Sequence, residues 1–340
     1  MVNFKKIIKE WMLPIAMLTG ASIYLIYHIL PEPVHHAGPF LNASLGVIQP
    51  LLIFSMLFMT FCTIEPKDLK LHRWHWWLLL VQGGIFVLLG LSAILLLRLF
   101  PAGSWNLVVL IESVMLCFIC PTATAASVVT RKLGGDVPGI TTYIVLINIL
   151  TALLVPIVIP LIQPESALDF WTSFGMILAK VFPLLITPCL CAWLVRYLVP
   201  KLHRKLLSYP DLAFYLWSVA LTLAIAVTTK SIVQSSMSIW LISGMSLVSL
   251  ISCAFQFYVG RRIGEKYTPR HRSMSSNDEE KGREIRKITS GQSLGQKNTV
   301  FAIWLGYTFM TPETAIVGGL YSIWHNIYNS WQLRSAAAKD

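Results

Sequence analysis

Charge is what this chain has least of. Of its 340 residues 13% are Asp, Glu, Lys or Arg while 55% are hydrophobic, and the mean hydropathy is +0.65. Soluble globular proteins carry roughly 25% charged residues and about 45–50% apolar ones, so an ordinary cytosolic enzyme is excluded, as are disordered and collagenous chains. No HExxH, Walker loop or cluster of carboxylates occurs in the apolar stretches, which argues against a membrane-embedded acyl or glycosyl transferase. The six cysteines (Cys62, Cys117, Cys120, Cys189, Cys191 and Cys253) all fall inside or at the edge of apolar runs, so no structural disulfide is expected. Cys117 and Cys120 form a CxxC, but without His or carboxylate neighbours they read as soft packing residues rather than a redox or metal pair.

What the chain has in abundance is apolar stretches of membrane-spanning length. They occur near 11–30, 44–63, 75–97, 106–129, 138–161, 171–195, 212–229, 239–259, 290–310 and 314–331, which predicts an all-α polytopic membrane protein with ten transmembrane helices. The run at 11–30 has no small-residue cleavage site near its end and reads as the first span, not a signal peptide. The net charge of +11 therefore reports topology rather than a nucleic-acid partner, and the lipid bilayer is the expected surrounding. Alternate loops hold 23 of the 27 Lys and Arg residues, and the loops on the other side hold none in their middles. The positive-inside rule then puts both termini in the cytoplasm, with the protein multi-pass in the cell (inner or plasma) membrane. The polar stretch within 261–287 has mixed charge and reads as a solvated cytoplasmic linker between spans eight and nine.

Three ionisable residues fall inside the spans: Glu112, Lys180 and Lys297. Such a group at membrane depth costs at least a few kcal/mol, so it faces a cavity or a partner and marks a functional path. Lys297 has the more telling neighbourhood. Span nine reads Ser290-Gly291-Gln292-Ser293-Leu294-Gly295-Gln296-Lys297-Asn298-Thr299, and span four reads Cys120-Pro121-Thr122-Ala123-Thr124-Ala125-Ala126-Ser127. Proline and paired glycines interrupt helices, and irregular backbone inside a membrane is tolerated only where it is buried or lines a cavity. Two interrupted spans at corresponding places in two halves point to a transporter site, where opened helices aim free N–H groups at an anion. His325, beside Trp324 and Asn326 in span ten, reads as a packed histidine with a local hydrogen bond.

At these two segments the chain resembles the bile acid:sodium symporter family. The first motif of that family, Cys-Pro followed by small residues, Thr and Ser-Asn, runs here from Cys120 to Ser127 with Gly135-Asp136 downstream; the second, Glu then Gly and Gln-Asn, runs from Ser293 to Asn298. Further matches are Gln82 in span three, Tyr258-Val259-Gly260-Arg261-Arg262 and Leu320-Tyr321-Ser322-Ile323-Trp324-His325-Asn326. The resemblance implies two inverted five-helix repeats, 1–161 and 162–340, with helices 4 and 9 broken and crossing. Helices 1–2 and 6–7 would form a panel, and helices 3–5 and 8–10 a core.

The departures are as informative as the matches. The family's sodium ligands fall here on Ala126, Ser127, Ile140, Ile144, Ser293 and Lys297, and only Gln82 survives among them. Losing a carboxylate and gaining an ammonium replaces a bound cation with a built-in one. The positions used near substrate remain as Thr124 and Asn298. The chain therefore reads as a secondary transporter of a small organic anion that does not use sodium. Thr124, Asn298, Ser127 and Lys180 are the candidate substrate residues. Lys297, Ser293, Gln82, Ser127, Gln296 and Glu112 are the candidate ion-site or coupling positions. No cofactor or metal is expected, sodium is disfavoured, and burial of an amine makes Lys297 a candidate for proton coupling. A sodium-coupled bile acid-like symporter and a membrane-embedded transferase are the alternatives; neither the anion nor an oligomeric state is specified by the residues.

Overall fold

In a medium without water, an apolar segment must close its backbone hydrogen bonds within itself, and the helix does that. The computed structural model describes residues 4–31, 38–65, 67, 69–99, 105–162, 169–267 and 276–337. In chain order the helices are α1 (Phe4–Ile29), α2 (Gly38–Cys62), α3 (Arg73–Leu99), α4 (Trp105–Ile119), α5 (Ala125–Lys132), α6 (Val137–Ile162) and α7 (Phe170–Leu198). There follow α8 (Pro200–Leu207), α9 (Leu212–Val233), α10 (Ile239–Lys266), α11 (Ser276–Gly295), α12 (Thr299–Phe309) and, after a short 3-10 turn at Pro312–Thr314, α13 (Ala315–Ala337). Six of them, α1, α2, α3, α6, α9 and α10, are unbroken and both long and apolar enough to cross a membrane. The fourth expected span is divided into α4 and α5 and the ninth into α11 and α12, while the sixth and tenth fall on α7 and α13.

Helix α3 shows how these segments are solvated. Leu80, Leu88, Leu91 and Leu95, about 60% exposed, share its outer face. Leu78, Gln82, Phe86 and Ala93 on the opposite face are fully buried. Through these leucines the outward face is apolar and the inward face carries the polar Gln82, the reverse of a helix in water.

The chain forms two compact units. The first comprises 1–65, 182–235 and 326–340, and in it α9 packs on both α1 and α2. Gly20 brings α1 against α9 so closely that a Cβ there would strike the carbonyl of Thr222. The carbonyl end of α2 is closed by side chains of the same unit: Arg196 donates to the Ile64 carbonyl at 2.9 Å and to Glu65 at 3.0 Å, and His203 Nε2 lies 2.8 Å from the Cys62 carbonyl. The Arg196 guanidinium there complements the helix dipole.

The second unit comprises 66–181 and 236–325. Its most extensive contact joins α10 to α11, and Trp74, Leu78, Tyr143, Ile147 and Leu294 form a buried cluster between α3, α6 and α11. Here the expected linker over 261–287 is corrected: residues 261–266 complete α10 and 276–287 begin α11, with 268–275 outside the described residues. The mixed charges are what make the stretch helical. Arg261 pairs with Glu284 at 2.8 Å and Lys287 with Glu265 at 3.3 Å, from one helix to the other. Opposite charges at helical spacing and across two antiparallel helices support helix where a sequence scan sees a polar loop.

At Gly260 the backbones of α10 and α11 come close; a Cβ on it would lie 2.6 Å from the Ser290 carbonyl oxygen and 3.0 Å from Gly291 Cα. Backbone cannot yield as a side-chain tip can. Gly260→Val should cost about 1–3 kcal/mol through overpacking, read as a lowered Tm of the purified protein in detergent; an unaltered Tm would contradict this packing.

Candidate functional site

Pro121 has no N–H, so the Cys117 carbonyl one turn earlier loses its helical donor and α4 stops at Ile119. Every carbonyl released near this end finds a donor from elsewhere in the same unit. The Cys117 carbonyl accepts from Gln256 Nε2 of α10 at 3.2 Å, and that of Ile119 accepts from Thr151 Oγ1 of α6 at 2.9 Å. The Cys120 carbonyl accepts from Gln82 Nε2 of α3 at 3.0 Å, and the Pro121 carbonyl from the backbone N–H of Asn298 at 2.8 Å. The remaining one, Phe118, faces Lys297, whose Nζ lies 3.4 Å from its oxygen.

The break after α11 mirrors the first. Gln296, Lys297 and Asn298 are non-helical, and an antiparallel bridge joins Lys297 to Thr122. The Ala123 N–H donates to the Gln296 carbonyl at 3.1 Å, Thr122 Oγ1 donates to the Ser293 carbonyl, and Tyr321 Oη donates to the Gly295 carbonyl at 2.7 Å. Asn298 caps α12, its Oδ1 accepting from the Phe301 N–H at 3.2 Å. His325 is 3% exposed, stands edge-on to Tyr321 and has Nδ1 3.4 Å from the Lys297 N–H, a packed histidine with a local hydrogen bond.

The fold therefore gathers Gln82, Thr124, Ser127, Ser293, Gln296, Lys297 and Asn298 around the paired breaks. Several are committed to the backbone: Ser127 Oγ donates to the Thr124 carbonyl, Ser293 Oγ to that of Thr289, and Gln82 Oε1 accepts from Tyr143 Oη at 2.9 Å. Glu112 stands apart, about two turns below the end of α4, and accepts from the Thr311 N–H at 3.2 Å. Lys180 lies on α7, but its side chain is outside the described residues.

Beside the breaks, Lys297 and Gln296 are buried with little compensation. Lys297 is 2% exposed, and among the described residues no carboxylate lies within ion-pair distance of it. Gln296 is fully buried with neither amide atom hydrogen-bonded. A cavity of about 10 Å³, room for roughly one water, lies beside Lys297 against Cys117, Cys120, Thr299 and Tyr321. All six cysteines are free thiols, and these two form cavity wall. The motif reading missed the donors Thr122, Thr151 and Gln256 and the bridging hydroxyl of Tyr321. Their only trace in the sequence is a polar side chain amid apolar neighbours.

Lipid-facing helices around two interrupted ones define a multi-pass membrane protein of the transporter class. The chain belongs to the SBF-like CPA transporter family (DUF4137), whose profile matches residues 14–328. No curated protein matches the chain significantly.

Gln82 holds one carbonyl of the break and one hydroxyl of α6, so Gln82→Leu would leave both buried and unpaired. The expected loss is about 1–3 kcal/mol for each orphaned group, seen as a lower Tm in detergent. A variant as stable as the parent would show that the break is held by other contacts.

Proposed function

We propose that this protein is an alternating-access carrier for a small organic anion that works without sodium, with Lys297 supplying the charge a coupling cation would otherwise bring. The observation that carries the reading is the state of Lys297: buried, without an ion pair, and set at the carbonyl end of α4. A buried charge with so little compensation is costly, and an anion arriving beside it removes that cost. The ammonium also stands at the negative end of a helix dipole, where a resident cation is favoured. Gln296, with both amide atoms open, supplies a further donor next to it. Thr124, Ser127, Asn298 and Lys180 complete the proposed substrate set, and Lys297 doubles as the group that would exchange a proton if transport is proton-coupled.

A sodium-coupled mechanism finds less support. Ser127 and Ser293 point their hydroxyls at backbone carbonyls, and Gln82 bridges the Cys120 carbonyl and the Tyr143 hydroxyl, so all three have structural roles. Ile140 and Ile144, where the resemblance would need oxygen ligands, are buried apolar side chains. Sodium needs several hard oxygen ligands, and these residues do not offer them.

The proposed architecture is ten membrane helices in two inverted repeats, 1–161 and 162–340, whose broken helices cross at the Thr122–Lys297 bridge. Both termini lie in the cytoplasm of a cell-membrane protein. The division of the chain into 1–65, 182–235 and 326–340 against the rest supports a panel built around helices 1, 2, 6 and 7, with the remainder as core.

Thermal stability tests the reading without a known cargo. The Tm of the purified protein should be the same in sodium, potassium and choline at matched ionic strength. A bound ion at about 100 times its Kd adds about 2.7 kcal/mol to the folded state, so a sodium-specific rise of that order would overturn sodium independence. In vesicles, uptake driven by a pH gradient should disappear in Lys297→Gln; pH dependence that survives the change would remove Lys297 as the proton-exchanging group.

A further inference from the structure

A second, larger cavity lies in the 66–181/236–325 unit, away from the helix breaks. It measures about 710 Å³ and opens between the start of α3, the turn before α6, the end of α10 and the first turns of α11. A volume of this size falls within the roughly 300–1,000 Å³ typical of small-molecule sites. Its lining is rich in cations: Arg73 comes from the start of α3, Lys266 from α10 and Arg286 from α11, with the His72 ring beside Arg73.

These cations are distinguished from their neighbours by what they lack. On the outer side of α10 and α11, Glu265 takes Arg262, Arg283 and Lys287, and Glu284 takes Arg261 and Lys287. Among the described residues no carboxylate lies within 4.0 Å of Arg73, Lys266 or Arg286 in an ion pair. Asp136 also lines the cavity and acts on Arg286 through space from beyond ion-pair distance, while its Oδ1 is engaged at 3.1 Å with the Gly139 N–H at the start of α6. Arg286 is braced by its Nε–H to the Gly282 carbonyl at 3.3 Å, which leaves the outer guanidinium nitrogens for a ligand. Tyr267 makes an apolar wall, stacked on Trp77 with ring centroids 5.3 Å apart.

We propose that this cavity is a binding site for a phosphate-bearing anion. Two guanidiniums and an ammonium, contributed by three separate helices, suit a tetrahedral dianion or phosphodiester, because arginine pairs with phosphate through two parallel N–H bonds. The chemistry is shared by two sources, the headgroup of an anionic lipid and a soluble organic phosphate. Basic pockets between membrane helices on the positively charged face recruit such headgroups. Binding would tie α3, α10 and α11 together, and α11 leads directly into the break at Gly295, so occupancy bears on how firmly that break is held. The inference is independent of the cargo and of sodium.

The test uses the whole purified protein. Tm is measured with increasing glycerol 3-phosphate in detergent and, in a second arm, in nanodiscs of phosphatidylcholine with and without phosphatidylglycerol. Potassium chloride at matched ionic strength serves as control. The expected result is a saturable rise in Tm in one arm. A rise with phosphatidylglycerol alone assigns the lipid headgroup, and a rise with glycerol 3-phosphate assigns a soluble phosphate. Arg286→Gln and, separately, Arg73→Gln should each raise the apparent Kd about tenfold, the worth of one charge-assisted contact. Arg73 is exposed at a helix start, so its variant keeps the experiment decisive should Arg286→Gln fold poorly. No rise with either probe, or an equal rise in both variants, would overturn the proposal.

Discussion

A backbone carbonyl freed inside a membrane must find a donor, because no water is there to supply one. This constraint organises the interior of the second unit. Once Pro121 ends α4, the carbonyls of residues 117 to 121 need partners, and the donors are brought by α3, α6, α10 and the segment after α11. Gln82, Thr151, Gln256 and Lys297 are therefore spaced around one point although they lie up to 215 positions apart in the chain. Gln82 and Gln256 are also polar groups within otherwise apolar helices, placed where the break requires them and turned from the lipid.

The same arrangement joins structure to function. Two interrupted helices held by side chains make a local site of oriented N–H groups and carbonyl ends, where charge is stabilised without solvent. Most of the polar atoms there are consumed by the backbone itself, which is why Ser127, Ser293 and Gln82 serve the architecture. The ammonium of Lys297, with no ion pair among the described residues, and the open amide of Gln296 are among the exceptions. In the proposed mechanism they form the positive end of a site that accepts an anion and then changes access.

At the basic end of the second unit the balance between paired and unpaired charge again separates two roles. Glu265 and Glu284 bind the outward cations into a network that keeps α10 and α11 helical and adjacent. The cations that line the large cavity have no such counterpart in ion-pair contact. Close approach at Gly260 and Gly264 allows the network to form, since the two backbones meet where no side chain intervenes.

The order of apolar stretches, the membrane setting and the two interruptions were legible in the residues. Span length follows from the thickness of the bilayer, and proline or paired glycines mark a break locally. Lys297 stands out as an ionisable group at membrane depth, whereas Gln82 and Ser293 stand out only through the family resemblance. Their roles were not legible, because a hydroxyl or amide within an apolar run carries no record of which carbonyl it will meet. Thr122, Thr151 and Gln256 went unmarked for that reason. The charged stretch at 261–287 misled for a related one: it reads as a loop until Glu265 and Glu284 are seen to face cations on the neighbouring helix. By itself the sequence determined that the chain is helical, lipid-embedded and broken at two paired places. Only the tertiary structure decided that the breaks meet, that Lys297 lies against the Phe118 carbonyl with no ion pair among the described residues, and that two arginines and a lysine from three helices converge on one cavity. Each of these depends on distances between helices far apart in the chain, which no local pattern encodes.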